Sequence, residues 1–258
     1  MGNVSYIVPV HKFDETVKSY LPKALKSIKD SIDKDYTLIL VGPKSVLAEV
    51  ENVVNDLKLK SVAKFVENED TDPFVQINTA VMRCTTPYFC VVEYDDEIAP
   101  FWGKRAKEYA ENGASVLLSL VEFYSAGVPV SFGNELAWDT AFADEHNLGY
   151  IDMEQLNTYM DFLASGAFIK TEDFISVGGL KPSLKIAAWY EFFLRCCYKH
   201  KDIFVVPKLG YRHNLDTSDS YSEISKKEIS QDEGTWLIAT AKQEYFFKED
   251  RKKKFGEE

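Results

Sequence analysis

Four short apolar segments in the first 92 residues alternate with segments of helical periodicity, and this alternation constrains the fold more than any other feature. The apolar segments cover residues 4–10, 36–41, 62–66 and 89–92. Between them, apolar residues recur every three or four positions, as on one face of a helix. Strands that alternate with helices are typical of a parallel sheet with right-handed crossovers. We therefore predict an α/β fold, with a Rossmann-like, mostly parallel sheet flanked by helices.

The pattern is less regular beyond residue 100. Residues 126–152 are rich in aromatic side chains without a clear period, and 203–206 form the last clear apolar strand. A terminal segment from Trp236 has helical spacing and ends in three lysines. We predict a domain over residues 1–222 and a C-terminal helical extension over 223–258. The extension is expected to pack on the domain, because the overall acidity of the chain opposes an anionic membrane surface.

Four acidic residues follow the apolar run 89–92 almost directly: Glu93, Asp95, Asp96 and Glu97. Two such charges about 4 Å apart repel by about 1 kcal/mol in water and about 4 kcal/mol at an effective dielectric constant near 20. A cation would relieve this repulsion, and carboxylate oxygens favour Mg²⁺, Mn²⁺ or Ca²⁺. In open α/β sheets, ligands bind beyond the carboxyl ends of the strands, where these acids fall. The alternative is an acidic, solvated turn before a helix.

Composition excludes several functional classes. The net charge of −11 argues against general binding to nucleic acid or anionic membranes. No apolar run approaches the length of a transmembrane helix. The four cysteines lack metal-ligand spacing and are expected to be reduced thiols, so we predict a cytoplasmic protein. The sequence contains neither the glycine pattern of a dinucleotide-binding turn nor that of a P-loop.

Several short motifs occur in order along roughly the first 220 residues. They are the strand 4–10, the helical pattern 25–28, Asn78, the sequence Glu93-Tyr94-Asp95-Asp96, the segments 166–170 and 174–180, and Tyr211-Arg212-His213 followed by Ser218 and Ser220. In order and spacing they resemble the motifs of the family-2 inverting glycosyltransferases, which have the GT-A fold. The resemblance implies a metal-dependent enzyme that transfers a sugar from a nucleotide-sugar to an acceptor.

The acidic motif resembles the family's Asp-x-Asp-Asp, which implies a site for Mn²⁺ or Mg²⁺ on the donor diphosphate. Asp95 is the first expected ligand, and Glu93 stands at the first acidic position with a longer side chain. Asp96 is either a ligand or a catalytic group that orients the ribose or the sugar. His213 is a further expected ligand or a contact to the diphosphate. The alternative for His213 is an ordinary hydrogen-bonded loop histidine.

The resemblance also implies the substrate-binding residues. Pro9 and Val10 end the strand that lies under the nucleotide base in the family, and Asn78 lies on the helix before the acidic strand. Arg212 is expected to pair with phosphate or with an acid. Trp189 either stacks on a sugar ring or is a core tryptophan. The expected donor is a nucleotide-sugar, with a UDP-sugar as first choice, whereas the acceptor is left open.

The catalytic base is the main departure from the family pattern. An inverting transfer needs a carboxylate that accepts the acceptor proton, but Trp189 stands at the position of the family's aspartate. Glu191 is the nearest acid in sequence and our first candidate; its alternative is a helix-face glutamate paired with Arg195. Asp161 and Asp173 are possible substitutes. If none serves, the chain is a catalytically impaired module that binds a nucleotide-sugar or a glycan.

Overall fold

The computed structural model describes residues 4–143, 145–217 and 229–255, with side chains of the last helix through residue 246. Within these ranges, ten strands form one central sheet: β1 (Val4–Pro9), β2 (Tyr36–Gly42), β3 (Ala63–Glu67), β4 (Tyr88–Val91), β5 (Glu97–Ile98), β6 (Val116–Ser125), β7 (Val128–Gly133), β8 (Tyr150–Ile151), β9 (Phe168–Lys170) and β10 (Ile203–Asn214).

Eight α-helices lie within the described ranges: α1 (Glu15–Asp30), α2 (Lys44–Asp56), α3 (Pro73–Val81), α4 (Trp102–Ala110), α5 (Met153–Thr158), α6 (Thr171–Val177), α7 (Ala188–Tyr198) and α8 (Gln231–Phe255). Short 3₁₀ helices cover Glu135–Trp138, Glu145–Asn147 and Pro182–Ala187. None of the helices in the described part of the chain has the length and hydropathy needed to cross a bilayer.

The strand order confirms the predicted α/β sheet. The order is β3-β2-β1-β4-β9-β6-β10-β5, and β7 and β8 pair with β6 and β10 respectively. The first four strands pair in parallel, as their alternation with helices predicts. Strand β9 runs antiparallel to both β4 and β6 and so joins the parallel N-terminal half to the parallel pair β6 and β10. The sheet is therefore mixed, with six strands in one direction.

Both faces of the sheet are covered, which explains the apolar character of its central strands. Side chains alternate along β1, so that Tyr6 and Val8 pack on one face with helices α1, α2 and α4. Ile7 lies on the opposite face, in the core that includes α3 and α7. All three residues are fully buried.

The expectation of irregular structure over 126–152 is wrong at two places, because β7 and β8 lie within it. Strand β7 forms a hairpin with β6. Val128, Val130 and Phe132 alternate with less apolar residues, as in a strand, but the segment has only six residues and contains a proline, which weakens a strand prediction. All three apolar side chains are more than half exposed in the structure. The last clear strand is also longer than predicted, since β10 continues to Asn214 through two register shifts.

The predicted C-terminal helix is present as α8. It packs against α7 and the 3₁₀ segment Pro182–Ala187 and buries Leu237, Ala241 and Tyr245. The predicted boundary between residues 222 and 223 lies outside the described residues, as do Ser218 and Ser220. The division into two parts therefore stays a prediction.

Candidate active site

The acidic residues follow β4 at its carboxyl end, where the chain makes a tight turn. The turn is anchored at both ends: Val92 N–H donates to the Ile7 carbonyl at 2.9 Å, and β5 pairs antiparallel with β10. Inside it, Asp96 N–H donates to the Glu93 carbonyl at 3.2 Å, while the Tyr94 side chain is buried in the core. The polar residues of the turn are thus fixed by the apolar residues between them.

The turn brings three carboxylates together. One oxygen each from Glu93, Asp95 and Asp96 lies within 4.8 Å of the others. Asp95 is 3% exposed and Asp96 is 0% exposed, whereas Glu93 is half-buried. The structure therefore excludes the alternative of an acidic turn in open solvent, and this acid cluster is the centre of the candidate site.

Asp96 is held by groups at the end of β10. Its Oδ1 accepts a hydrogen bond from Asn214 N–H at 2.8 Å, and its Oδ2 lies 2.9 Å from His213 Nδ1. Burial lowers the pKa of His213, but the hydrogen bond and charge of Asp96, with the charges of Glu93 and Asp95, outweigh it and raise this pKa to about 9. Asp96 thus orients an imidazole at the edge of the acid cluster.

Asp95 has an unpaired oxygen. Its Oδ2 accepts a hydrogen bond of 2.6 Å from Thr217 Oγ1, but its buried Oδ1 has no hydrogen-bond partner among the residues that the structure describes. Burial and then the charge of Asp96 raise the pKa of Asp95 to about 6. A buried acceptor without a partner costs about 1–3 kcal/mol. The position is suited to a group that neutralises negative charge.

Glu93 is also short of favourable partners. Ser165 Oγ donates to its Oε1 at the long distance of 3.4 Å, and its backbone N–H donates to the Tyr211 hydroxyl at 3.0 Å. Burial, followed by the charges of Asp96 and Asp95, raises the pKa of Glu93 to about 8. Without a further cation, the cluster holds more negative charge than His213 can balance.

A cavity of about 400 Å³ lies beside the acid cluster. It brings together four of the predicted site residues: Pro9, Glu93, Trp189 and His213 all line it. Asp161 also lines the cavity. The four predicted residues come from distant parts of the sequence, and three of them lie at the ends of β1, β4 and β10. The cavity lies where ligands bind in open α/β sheets.

Three of the predicted substrate-binding residues, Val10, Arg212 and Asn78, do not line this cavity. Val10 is fully buried next to β2, with its N–H donating to Val41 at 2.8 Å. Arg212 Nε pairs with Glu122 at 2.8 Å, so its predicted pairing with an acid is the one observed. Asn78 exchanges two hydrogen bonds of 2.9 Å with the backbone of Leu180.

The Asn78 contact explains a glycine in the loop after α6. Gly179 has φ of +68°, and a Cβ there would lie 2.7 Å from Asn78 Oδ1. Only glycine fits both the backbone conformation and the close approach. The observed role of Asn78 is to fix the loop that leads to α7.

Glu191 lies in a second buried cluster, away from the cavity lining. Its two oxygens accept hydrogen bonds from Arg195 Nε at 3.1 Å and Nη2 at 2.8 Å. Lys181 Nζ lies 2.8 Å from Oε1, and the Tyr245 hydroxyl of α8 donates to the same oxygen. The predicted pair with Arg195 is present, but it is buried rather than exposed. We call these four residues the Glu191 cluster; it gives the prediction of a catalytic role for Glu191 no support.

Asp173, the other substitute considered as a base, is also engaged elsewhere. It accepts hydrogen bonds from Ser115 and Lys201 and is 8% exposed. Burial opposes ionisation, but these two partners lower the pKa of Asp173 below its usual value. Asp173 does not line the cavity.

Sequence reasoning missed Thr217, Ser165, Tyr211 and Asn214 as partners of the acids. Thr217 lies 122 positions from Asp95, and Asn214 lies 118 from Asp96. No local signal marks them, because strand β10 has to pair in register before its end reaches the turn. The one available hint was that Asn214 and Thr217 closely follow the Tyr211-Arg212-His213 motif.

Comparison with known proteins defines the class. The family model of glycosyl transferase family 2 matches residues 5–165, which is more than half of the chain. The chain therefore belongs to glycosyl transferase family 2. A search of curated proteins found no match to this sequence.

The fold is similar to that of solved glycosyltransferase structures. S. aureus TarS 1–349 in complex with UDP-GlcNAc aligns with a TM-score of 0.65 and 15% identity, covering 94% of this chain and 72% of that one. TarS 1–349 in complex with UDP aligns with a TM-score of 0.60 and 18% identity, covering 95% of this chain and 72% of that one. The mannosyltransferase PcManGT from Pyrobaculum calidifontis, in complex with GDP-Man and Mn²⁺, aligns with a TM-score of 0.59 and 13% identity. The alignment covers 84% of this chain and 58% of that one. These likenesses confirm the predicted GT-A fold.

Proposed function

We propose that this protein is a metal-dependent, inverting glycosyltransferase that uses a nucleotide-sugar donor. The observation that carries the proposal is the buried Oδ1 of Asp95, which has no hydrogen-bond partner among the described residues, in a cluster of three carboxylates of which Glu93 lines the cavity of about 400 Å³. A fully solvated acidic turn would leave no such atom. The arrangement gains stability from a divalent cation and the phosphate oxygens that would accompany it.

The donor set of the site fits Mn²⁺ or Mg²⁺. Asp95 and Glu93 would hold the ion through oxygen, and His213 is a further proposed ligand through Nε2, because its Nδ1 contacts Asp96. An imidazole ligand suits Mn²⁺ better than Mg²⁺. When bound, such an ion stabilises negative charge on the leaving diphosphate as a Lewis acid. Asp96 would act through His213, as a positioning residue.

We infer that the donor lies in the cavity beside the acid cluster, with its base near the end of β1. Pro9 and His11 line the cavity there, and the His11 ring contacts Tyr94 of the acidic turn, with 6.2 Å between ring centroids. Solved structures of similar fold contain UDP, UDP-GlcNAc and GDP-Man. We propose a UDP-sugar as the first donor to test.

The test is a panel of UDP- and GDP-sugars assayed for release of the nucleoside diphosphate, with Mn²⁺, with Mg²⁺ and with EDTA. We expect metal-dependent release by the wild type and a loss of turnover of at least about 100-fold in Asp95→Asn. Asp56→Asn, at an exposed aspartate that ends α2, is the matched control and should keep wild-type turnover. Turnover that persists in EDTA would contradict the metal requirement.

A second candidate function is a binding module. It is favoured by Trp189 at the expected position of the base and by the full engagement of Glu191 in a separate cluster. Binding of UDP with Mn²⁺, without turnover of any sugar in the panel, would identify this function instead. For an active enzyme, the anomeric configuration of the product by NMR tests inversion.

A further inference from the structure

We propose that Asp161 is the catalytic base of this glycosyltransferase, an inference that rests on the function proposed above. In the reaction, the acceptor hydroxyl oxygen forms a bond to the anomeric carbon. The bond from that carbon to the phosphate oxygen breaks, and the nucleoside diphosphate leaves with the electron pair. The hydroxyl proton passes to a carboxylate oxygen of Asp161.

Among the described residues that line the cavity, Asp161 is the one acid outside the proposed metal site. Glu93 and Asp161 are the only carboxylates among those residues. Glu93 belongs to the acid cluster and is proposed to hold the metal ion, and a bound cation would make this carboxylate a weaker base toward an acceptor proton. Asp161 belongs to no such cluster, and its side chain is exposed to the cavity and solvent.

The two other candidates for the base, Glu191 and Asp173, lie outside the cavity lining and are engaged elsewhere. Glu191 is fully buried and accepts hydrogen bonds from Arg195 and Tyr245. Asp173 accepts hydrogen bonds from Ser115 and Lys201. Neither carboxylate reaches a substrate without breaking a buried ion pair, a change that costs about 3–5 kcal/mol.

The backbone around Asp161 is held in place, as a catalytic group requires. The next residue, Phe162, is buried and packs on Tyr159 with 4.9 Å between ring centroids. Leu163 N–H donates to Asn134 Oδ1 at 2.8 Å, and the Asn134 amide donates back to the Leu163 carbonyl at 3.1 Å. A rigid segment thus presents an accessible carboxylate to the cavity.

A substitution at Trp189 should restore activity that the loss of Asp161 removes. It stands at the sequence position where the family has its base, and it lines the same cavity as Asp161. A carboxylate introduced at position 189 would therefore face the same space. If Asp161 has taken over the proton transfer, an aspartate at 189 should partly replace it.

The experiment measures sugar-nucleotide turnover, with water as acceptor, for the donor that the wild type uses fastest in the panel. Asp161→Asn should lower kcat by at least about 100-fold, because a positioned base contributes about 10²–10⁴-fold. Its affinity for UDP with Mn²⁺ should stay within about twofold. Glu154→Gln, an exposed acid on α5 outside this cavity, is the matched control.

Two further variants complete the design. Asp161→Glu should keep part of the activity and the ascending acid limb of the pH–kcat profile, which Asp161→Asn should lose. The double variant Asp161→Asn with Trp189→Asp should exceed Asp161→Asn by at least about tenfold.

The outcomes separate this inference from the proposed function. Turnover by Asp161→Asn within a few-fold of the wild type would overturn the assignment of the base alone. A parallel loss of UDP affinity would assign Asp161 to binding and overturn it too. A wild type that turns over no donor would overturn the proposed function together with this inference.

Discussion

Two clusters around buried carboxylates differ in how completely those carboxylates are paired. In the Glu191 cluster, one carboxylate is matched by Arg195, Lys181 and Tyr245. In the acid cluster at the end of β4, three carboxylates share His213 and several neutral donors, and one buried oxygen has no partner among the described residues. The first is complete within the chain, whereas the second is not.

The difference separates a structural role from a functional one. A buried ion pair that is fully hydrogen-bonded fixes the packing of the elements that carry it, here α7, α8 and the segment before α7. An underpaired set of acids destabilises the free protein and gains from a ligand that supplies positive charge. Sites of function are therefore to be sought where pairing is incomplete.

The largest expected effect comes from breaking the complete cluster. Arg195→Met leaves the Glu191 carboxylate without its bidentate partner and should lower the free energy of unfolding by about 3–5 kcal/mol. For a chain of this size, Tm should fall by roughly 10 °C. Arg105→Met, which removes an exposed pair with Glu108, is the control and should cost about 1 kcal/mol or less. A similar Tm for Arg195→Met and Arg105→Met would contradict a structural role for the Glu191 cluster.

A carboxylate-to-amide substitution should change the stability of the metal-free protein differently in the two clusters. Glu191→Gln should destabilise the metal-free protein by about 2 kcal/mol, because Arg195 and Lys181 lose their counter-charge. Asp95→Asn should leave it unchanged or stabilise it by about 1 kcal/mol, since it relieves repulsion among the acids. Denaturant unfolding in EDTA measures both. Two changes of the same sign would contradict the comparison.

How much of each cluster the sequence predicts depends on how far apart along the chain the contacting residues lie. The alternation of strands and helices locates β4, and the acids directly after it are local features. His213 and Thr217 join the acids from 117 and 122 positions away, through pairing that no local pattern encodes.

The burial of Glu191 was not predictable for a related reason. An acid spaced four residues from Arg195 on a helix resembles an exposed surface pair. Its burial depends on α8, whose Tyr245 lies 54 positions further along the chain. The polar face that the sequence indicates is covered only when that helix packs.

A smaller effect is expected from pH on the metal-free protein. The folded state raises the pKa of Glu93 to about 8 and that of His213 to about 9, so it binds protons more tightly than the unfolded chain over roughly pH 5–9. Stability should therefore fall as pH rises through this range. At full size, the two pKa shifts would lower the free energy of unfolding by about 4 kcal/mol between pH 6 and 8. Because both side chains are only half-buried, solvent screening should reduce this loss to about 1 kcal/mol, or about 2–4 °C in Tm.

The pH effect is isolated by difference, since the net charge of the whole chain also acts on stability. Thermal unfolding in EDTA should show a steeper decline for the wild type than for Glu93→Gln. Equal slopes in the two proteins would mean that the acid cluster is as well solvated as a surface turn.

The most direct test of the central claim, that the acid cluster binds a divalent ion together with a nucleoside diphosphate, is a Mn²⁺ titration followed by electron paramagnetic resonance. With UDP present in excess, we expect one bound Mn²⁺ per wild-type chain and per Asp56→Asn chain, with binding lost or weakened at least about tenfold in Asp95→Asn. Equal Mn²⁺ binding by Asp95→Asn and the wild type, or none by the wild type with either UDP or GDP, would contradict it.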